Sequence, residues 1–378
     1  MPTQPPPPAA PNNVASVVVD GGPSGNSVNT LFVSVMVCTP GSTSSCQTID
    51  HIQVDTGSYG LRLLAPVLSI SLPVVTLAGG GTLAECTQFV DGFSWGPIEK
   101  ADIKIGGETA SAVPVQAIGD SRYSNVPTDC SSTGPAEDTV ATFGANGILG
   151  IGTFATDCPA CENQVIPATY YACSTATSCT NTMVPAADIV PNPVTFFATD
   201  NNGSIIDLPA VPNPGTGELT LTGSLIFGID TQSNNVSGTE TVLTVDSDAE
   251  LLMTFNGATL ANSFIDSGSN GIYFNDTALA PCTAKGLTDF YCPSSTVTLG
   301  LSIQGTNGVM ANNLTFAVAN TQTMLNANPT FNVFPELAGT NPNQGSFDYG
   351  LPFFYGRRVA VAIQGATTTV GTGPYIAF

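Results

Sequence analysis

The chain has 378 residues, with seven Lys plus Arg against 28 Asp plus Glu and a formal net charge of −21. This balance excludes a basic nucleic-acid groove. No apolar run reaches the roughly 18 residues needed to cross a bilayer. The length suffices for two packed domains with sizeable cores.

The N-terminal residues 1–15 are rich in proline and predict an extended linker. They contain no apolar signal segment, so we expect a chain already processed for secretion, with a lipid tether upstream as one option. Residues 16–232 then predict a first lobe, and residues 233–378 predict a second. The polar stretch 231–235 marks the boundary between them.

Short apolar strands separated by Gly, Asn, Ser, Thr and Pro predict a mainly β fold. Leu31–Val37 is typical of a strand, and Asp102–Ile105 ends at Gly106-Gly107, which favours a hairpin turn. Helical patterns are few and short.

Ten cysteines, an even number, indicate an oxidising compartment, so we expect a secreted, periplasmic or cell-surface protein. Short spacings predict the disulfides Cys38–Cys46 and Cys282–Cys292. Cys86 and Cys130 remain as a long-range pair. The insertion at 153–192 holds four more: Cys158, Cys161, Cys173 and Cys179. Disulfides are favoured there over zinc, because the second pair is spaced too widely for a zinc ribbon and the chain has one His. We predict no metal and no cofactor.

One pattern occurs twice, 211 residues apart: an apolar strand that ends in Asp, followed by a hydroxyl residue, Gly and another hydroxyl residue. The copies are Ile52–Ser58 and Ser263–Ser269. A single copy is most often a simple turn at a strand end. Two copies in opposite halves of the chain instead favour a pair of facing carboxyls, Asp55 and Asp266, which would share a proton and act as acid and base.

The residues after each Asp fit a supporting role. Gly57 and Gly268 permit a sharp turn. The hydroxyls can donate hydrogen bonds to the carboxylates, from Thr56 or Ser58 in the first copy and from Ser267 or Ser269 in the second. His51 and Arg62 lie close to the first motif, and we interpret both as structural residues rather than catalytic or substrate-binding ones.

The repeat resembles the pepsin-like, two-lobed aspartic peptidases, which carry one such motif in each lobe. The resemblance extends to Asn146–Gly152 and Tyr349–Phe354, which match the apolar-Gly segments behind each motif, and to the strands Ser224–Asp230 and Arg358–Ile363. It implies a bilobal double barrel with a cleft between the lobes and Asp55 and Asp266 as catalytic residues. The stretch Asp55–Arg62 also resembles uncharacterised secreted bacterial proteins.

The chain departs from that family at the flap hairpin. No tyrosine aligns there, and Phe89 takes the nearest position. The hairpin turn falls at Asp91-Gly92, and Phe89 or Trp95 is predicted to cover substrate. The alternative is that Trp95 fills the core of the first lobe. Asp348 is an unusual polar residue beside the second apolar-Gly segment.

These features predict a monomeric aspartic endopeptidase that cleaves a peptide or protein substrate at acidic pH. The main rival is a non-catalytic binding module on the same fold, which the altered flap favours. A structural cell-surface β protein would explain the linker and the cysteines but not the paired motifs.

Overall fold

A computed structural model describes residues 12–378, and the predicted mainly β architecture is confirmed. The strands are β1 Val14–Val19, β2 Leu31–Cys38, β3 Cys46–Asp55, β4 Tyr59–Leu64, β5 Thr82–Gln88, β6 Phe93–Ile105, β7 Glu108–Ile118, β8 Gly147–Ile151, β9 Tyr170–Thr175, β10 Ser178–Asn181, β11 Gly203–Leu208, β12 Leu221–Phe227, β13 Val242–Thr244, β14 Leu251–Phe255, β15 Ala258–Ile265, β16 Ile272–Tyr273, β17 Val297–Gln304, β18 Met310–Val318, β19 Ala338–Gly339, β20 Asp348–Tyr349, β21 Arg357–Ala362, β22 Thr367–Thr368, β23 Gly371–Thr372 and β24 Tyr375–Ala377.

Helices are short, as the sequence predicts. They are α1 Thr128–Ser131, α2 Val140–Phe143 and α3 Thr321–Ala327, with 3-10 turns at Ala65–Val67, Ser121–Tyr123, Pro159–Glu162, Ala186–Asp188, Pro193–Phe196 and Leu351–Phe353. Within residues 12–378, no helix has the length and apolar character of a membrane span.

Two barrel-like sheets organise the chain. The larger has the strand order β10-β9-β5-β6-β7-β4-β8-β3-β2-β1-β12-β11-β21-β24-β13, and the smaller has β18-β17-β14-β15-β20-β16-β19. The strands at the chain's end, β21 and β24, join the larger sheet beside β11, so the C-terminal segment closes a layer begun by β1. The exact lobe boundary near residue 232 remains a prediction.

The linker predicted for residues 1–15 extends too far, because strand β1 begins at Val14. Residues 1–11 lie outside the described part of the chain, but Val14 and Ala15 belong to β1, opposite Ile226 and Leu225 of β12. The alternation of apolar side chains in β1 explains this, since Val17 and Val19 are buried in the core.

A dense aromatic cluster fills the second lobe. Phe274 stacks on Phe347 with ring centroids 5.2 Å apart, and Phe255 meets Phe274 edge-on at 5.0 Å. Such pairs add stabilisation beyond the area they bury, so this cluster strengthens the core of the second lobe.

All ten cysteines form disulfides. The predicted pairs Cys38–Cys46, Cys86–Cys130 and Cys282–Cys292 are confirmed. The insertion contains the other two, Cys158–Cys161 and Cys173–Cys179. Because these four cysteines are oxidised to disulfides, they have no thiolate with which to bind zinc.

Asn29 connects the two halves of the chain. Its amide donates to the carbonyls of Asn270 and Phe334, at 2.9 and 2.7 Å. Its Oδ1 accepts from the Phe334 backbone N–H at 2.7 Å and from the Tyr355 hydroxyl at 2.8 Å. The side chain is fully buried, and three of the four bonds are buried, while the one to Asn270 is partly buried.

We predict that Asn29→Ala lowers the free energy of unfolding by about 2–4 kcal/mol, because it leaves several buried partners without a hydrogen bond. Urea unfolding measures the change. Asn256→Ala is the matched control, since Asn256 has a similar positive φ (48° against 49° for Asn29) but is exposed. Equal losses in both variants would assign the effect to backbone strain.

Candidate active site

The two Asp residues occupy equivalent places in the two sheets. Strand β3 ends at Asp55 and runs parallel to β8, with Val54 opposite Leu149. Strand β15 ends one residue before Asp266 and runs parallel to β20, with Ile265 opposite Tyr349. The predicted apolar-Gly segments therefore lie beside both motifs.

Reciprocal hydrogen bonds join the motifs across the interface between the lobes. The Thr56 N–H donates to Ser267 Oγ at 3.1 Å, and the Ser267 N–H donates to Thr56 Oγ1 at 3.0 Å. Each hydroxyl in turn donates a hydrogen bond to a backbone carbonyl of the opposite strand. Ser267 donates to Val54 at 2.9 Å, and Thr56 donates to Ile265 at 3.3 Å. Thr56 and Ser267 therefore fix the distance between the lobes instead of orienting the carboxylates.

The other hydroxyl residues bind the carboxylates. Ser58 donates to Asp55 Oδ2, and Ser269 donates to Asp266 Oδ2 at 3.0 Å. The amides of Gly57 and Gly268 donate to the Oδ1 atoms of Asp55 and Asp266, both at 2.7 Å. These four bonds hold each carboxylate in one orientation.

The glycines allow the carboxyls to approach each other. A Cβ on Gly268 would lie 2.5 Å from Asp55 Oδ1 and 3.1 Å from Asp266 Oδ1. A Cβ on Gly57 would lie 2.8 Å from Asp266 Cγ. Either methyl group would therefore overlap the opposite carboxyl or push it away.

The two carboxyls differ in burial, since Asp55 is 5% exposed while Asp266 is half-buried. Burial raises the pKa of Asp55 well above its ordinary value, and the neighbouring Asp266 charge raises it further. Hydrogen bonds from Ser58 and Gly57 oppose this shift. The pair therefore favours a proton on Asp55.

Tyr59 replaces the residue usual after the first motif in the family that the sequence resembles. Its ring contacts Phe154 at 5.5 Å between centroids. Burial raises its pKa to about 12, and the charges of Asp55 and Asp266 act in the same direction. The phenol is therefore a neutral neighbour of the pair.

Arg62 lies in a buried network next to the site, in agreement with a structural role. Its NH2 group contacts Glu85 at 2.6 Å and Asp157 at 2.8 Å, while its Nε donates to Thr87 at 2.8 Å. Its NH1 group donates to the Tyr59 carbonyl. Arg62 thus links the chain after Asp55 to strand β5 of the flap.

One arginine faces two acids in that network. Burial and the Glu85 charge raise the pKa of Asp157 well above its ordinary range, while Arg62 opposes the shift. Sequence reasoning missed Glu85 and Asp157. The available signal was Glu85, an acidic residue within the short run Leu83–Cys86, whose other members are apolar.

The predicted flap is a hairpin of β5 and β6, closed by a bond from the Phe89 N–H to the Gly92 carbonyl at 2.8 Å. Its outer side is braced, because Phe93 exchanges backbone bonds with the segment 135–137 and Cys86 is joined to Cys130. Burial raises the pKa of Tyr273 in the second lobe, and the charges of Asp348 and of Asp91 at the tip act in the same direction.

The structure supports the core alternative for Trp95 rather than the lid. The indole is 3% exposed, meets Tyr171 edge-on at 5.1 Å and donates to the Tyr123 carbonyl at 2.8 Å. Phe89 is half-exposed and contacts Phe143. Of the two aromatic candidates, Phe89 is the one with surface available to a ligand.

His51 has contacts that fit the predicted structural role. It lies at 3.3 Å from Asp20 and edge-on to Phe32. In the part of the chain that the structure describes, no group of three or more His, Cys, Asp or Glu is arranged to bind a metal ion.

The fold and the paired Asp motifs define the class as the two-lobed aspartic proteinase fold. The structure is similar to the crystal structure of an aspartic proteinase from Irpex lacteus, with a TM-score of 0.53 and 16% sequence identity over 96% of each chain. At this identity the likeness establishes the fold alone.

The chain belongs to the family described as "Protein of unknown function (DUF3443)", which matches residues 9–378. No curated protein matches the chain.

We predict that Trp95→Ala lowers the free energy of unfolding by about 3–5 kcal/mol, as expected for removing a buried aromatic side chain. Phe89→Ala, in the half-exposed flap, should change it by less than about 1 kcal/mol. Because the chain has a single tryptophan, its fluorescence reports on this site alone and should not change when a transition-state-like peptide inhibitor binds. A clear shift in emission when the inhibitor binds would instead indicate that Trp95 belongs to a lid over the substrate.

Proposed function

We propose that this chain is an aspartic endopeptidase that hydrolyses peptide bonds at acidic pH, with Asp55 and Asp266 as its catalytic pair. The observation that carries the proposal is the close approach of two carboxyls held in matching hydrogen-bond settings, one of them deeply buried. Such a pair retains one proton between the two groups and therefore offers an acid and a base side by side.

In the proposed mechanism a water molecule lies between the carboxyls. Asp266 removes a proton from the water as its oxygen attacks the peptide carbonyl, while Asp55 donates its proton to the carbonyl oxygen. The roles then exchange: the tetrahedral intermediate collapses, the C–N bond breaks, and the leaving nitrogen receives a proton from the pair. No covalent bond forms between protein and substrate.

The setting of the pair supports this assignment. The reciprocal bonds between Thr56 and Ser267 preserve the separation on which proton sharing depends. The hydroxyls of Ser58 and Ser269 each hold one carboxylate in its orientation. Preorganisation of this kind is what a catalytic pair requires.

Five disulfides support a location outside the reducing cytosol. We propose a monomer that is secreted, periplasmic or attached to the cell surface and acts on peptides or denatured proteins.

One observation favours the rival, a non-catalytic peptide-binding module. The flap has Phe89 where the related fold uses a tyrosine, and its outer side is tied to the segment 135–137. A braced flap can hold a peptide without the closure that excludes water. Incubation with a denatured protein mixture separates the two functions, because the module would bind peptides without producing new fragments.

We predict that Asp55→Asn and Asp266→Asn each lower kcat by at least about 10³-fold. The kcat of the double variant should be no lower than that of the single variants, because the two residues act together as one acid-base pair. A peptide-cleavage assay measures the rates. Asp207→Asn is the matched control, since this carboxyl lies on β11, outside both motifs, and pairs with Arg358. Additive losses would contradict a shared proton.

We predict a bell-shaped pH profile with its maximum below about pH 6. Because burial and Asp266 raise the pKa of Asp55, the acid is retained through mildly acidic solution and lost as pH rises through that pKa. On the acidic side, activity falls when the second carboxyl is protonated too. A rate that keeps increasing up to pH 8 would exclude this mechanism.

A further inference from the structure

A third carboxyl group lies behind the pair. Asp348 is the first residue of β20 and stands opposite Phe264, two residues before Asp266. Its side chain is 7% exposed. Three neighbours act on the pKa of the Asp348 carboxyl: the charges of Asp266 and Asp55 raise it, and Ser269 lowers it.

The equivalent position in the first lobe shows that an acid is not required by the fold. There the strand β8 places Ile148 opposite Gln53, two residues before Asp55. The same register therefore holds an apolar side chain behind Asp55 and a carboxyl behind Asp266. This difference is the main asymmetry between the two halves of the site.

No cation neutralises Asp348, since none of the ion pairs among residues 12–378 includes it. The titratable groups that face it are the carboxyls of Asp55 and Asp266 and the phenol of Tyr273, which is opposite it on β16. Its Oδ1 has no hydrogen-bond partner. A buried carboxylate with neither a cation nor full hydrogen bonding is costly, so the neutral acid is favoured.

The hydrogen-bond inventory leads to the same state. Ser269 has a single hydroxyl proton, which it donates to Asp266 Oδ2 at 3.0 Å. The Ser269 oxygen can therefore only accept from Asp348, and only a protonated Asp348 has a proton to donate.

We infer that Asp348 is a positioning residue. As a neutral acid it donates a hydrogen bond to the Ser269 oxygen, so that the Ser269 hydroxyl donates its own hydrogen bond to Asp266. The chain Asp348 to Ser269 to Asp266 stabilises the ionised form of Asp266 and so directs the shared proton to Asp55. This inference rests on the proposed function for its effect on rate, but not for the protonation state of Asp348. Burial, followed by the Asp266 charge, raises the pKa of Asp348 well above its ordinary value, although Ser269 acts in the opposite direction.

Two substitutions separate the donor from the charge. Asp348→Ile copies the first-lobe residue and removes the donor. Asp348→Asn keeps a donor of the same shape that cannot titrate. We expect Asp348→Ile to move the acidic limb of the kcat/KM profile to higher pH by about half a pH unit, because a hydrogen bond to ionised Asp266 is weakened. In Asp348→Asn the acidic limb should lie at the same pH as in wild type. Equal profiles for the two variants would overturn the inference.

The pseudo-symmetry of the site supplies a matched control. In a Ser269→Ala background, Asp348→Ile should cause no further shift, because the relay is already broken. In a Ser58→Ala background the shift should persist, since Ser58 has Ile148 rather than a carboxyl behind it. A shift that survives Ser269→Ala would contradict the relay.

Two measurements do not depend on activity. The infrared difference between wild type and Asp348→Asn at pH 5 should contain the carbonyl stretch of a protonated carboxylic acid. Between pH 4 and pH 7 the free energy of unfolding should also fall more in wild type than in Asp348→Asn. The reason is that Asp348 keeps its proton in the folded state and releases it in the unfolded state. If these results appear but no peptide is cleaved, the proposed function fails while the protonated acid stands. If the infrared band is absent, the inference fails whatever the activity.

Discussion

The close contact between Asp55 and Asp266 is the constraint on which the rest of the structure depends. Two ionised carboxylates at this separation repel each other, so the contact persists only if the pair keeps a proton and the surrounding chain cannot move apart. The reciprocal bonds of Thr56 and Ser267 supply that resistance where the lobes meet. The site and the lobe interface are therefore stabilised by the same residues.

Each lobe contributes an equivalent strand and turn, yet the halves are not equal electrostatically. Asp55 is more deeply buried than Asp266, and only Asp266 has a carboxyl behind its serine. Burial places the proton on one side, and a donor relay would favour the negative charge on the other. Both differences act in the same direction, so the two halves of a symmetric scaffold favour the proton on Asp55.

The sequence predicted the features whose signals are local. The two Asp motifs, the strands beside them and the short disulfides could all be read from neighbouring residues, and the structure contains them. The position of Trp95 and the pairing of Arg62 with its acidic partners could not, because residues distant in sequence determine both. Likewise, sequence allowed either hydroxyl of a motif to bind its Asp. Only the approach of the second lobe assigns Thr56 to the interface.

Composition and site chemistry are consistent with each other. Conditions acidic enough to keep one proton on the pair also neutralise many of the 28 acidic side chains, and a typical protein would then be destabilised by its remaining positive charges. This chain has only seven Lys plus Arg and one His, so little repulsion develops as its carboxylates are lost. The buried acids reinforce this tolerance, because a carboxyl that is already protonated in the folded state, such as Asp55, has no negative charge to lose. The scarcity of cations thus allows the fold to persist under acidic conditions in which the pair retains its proton.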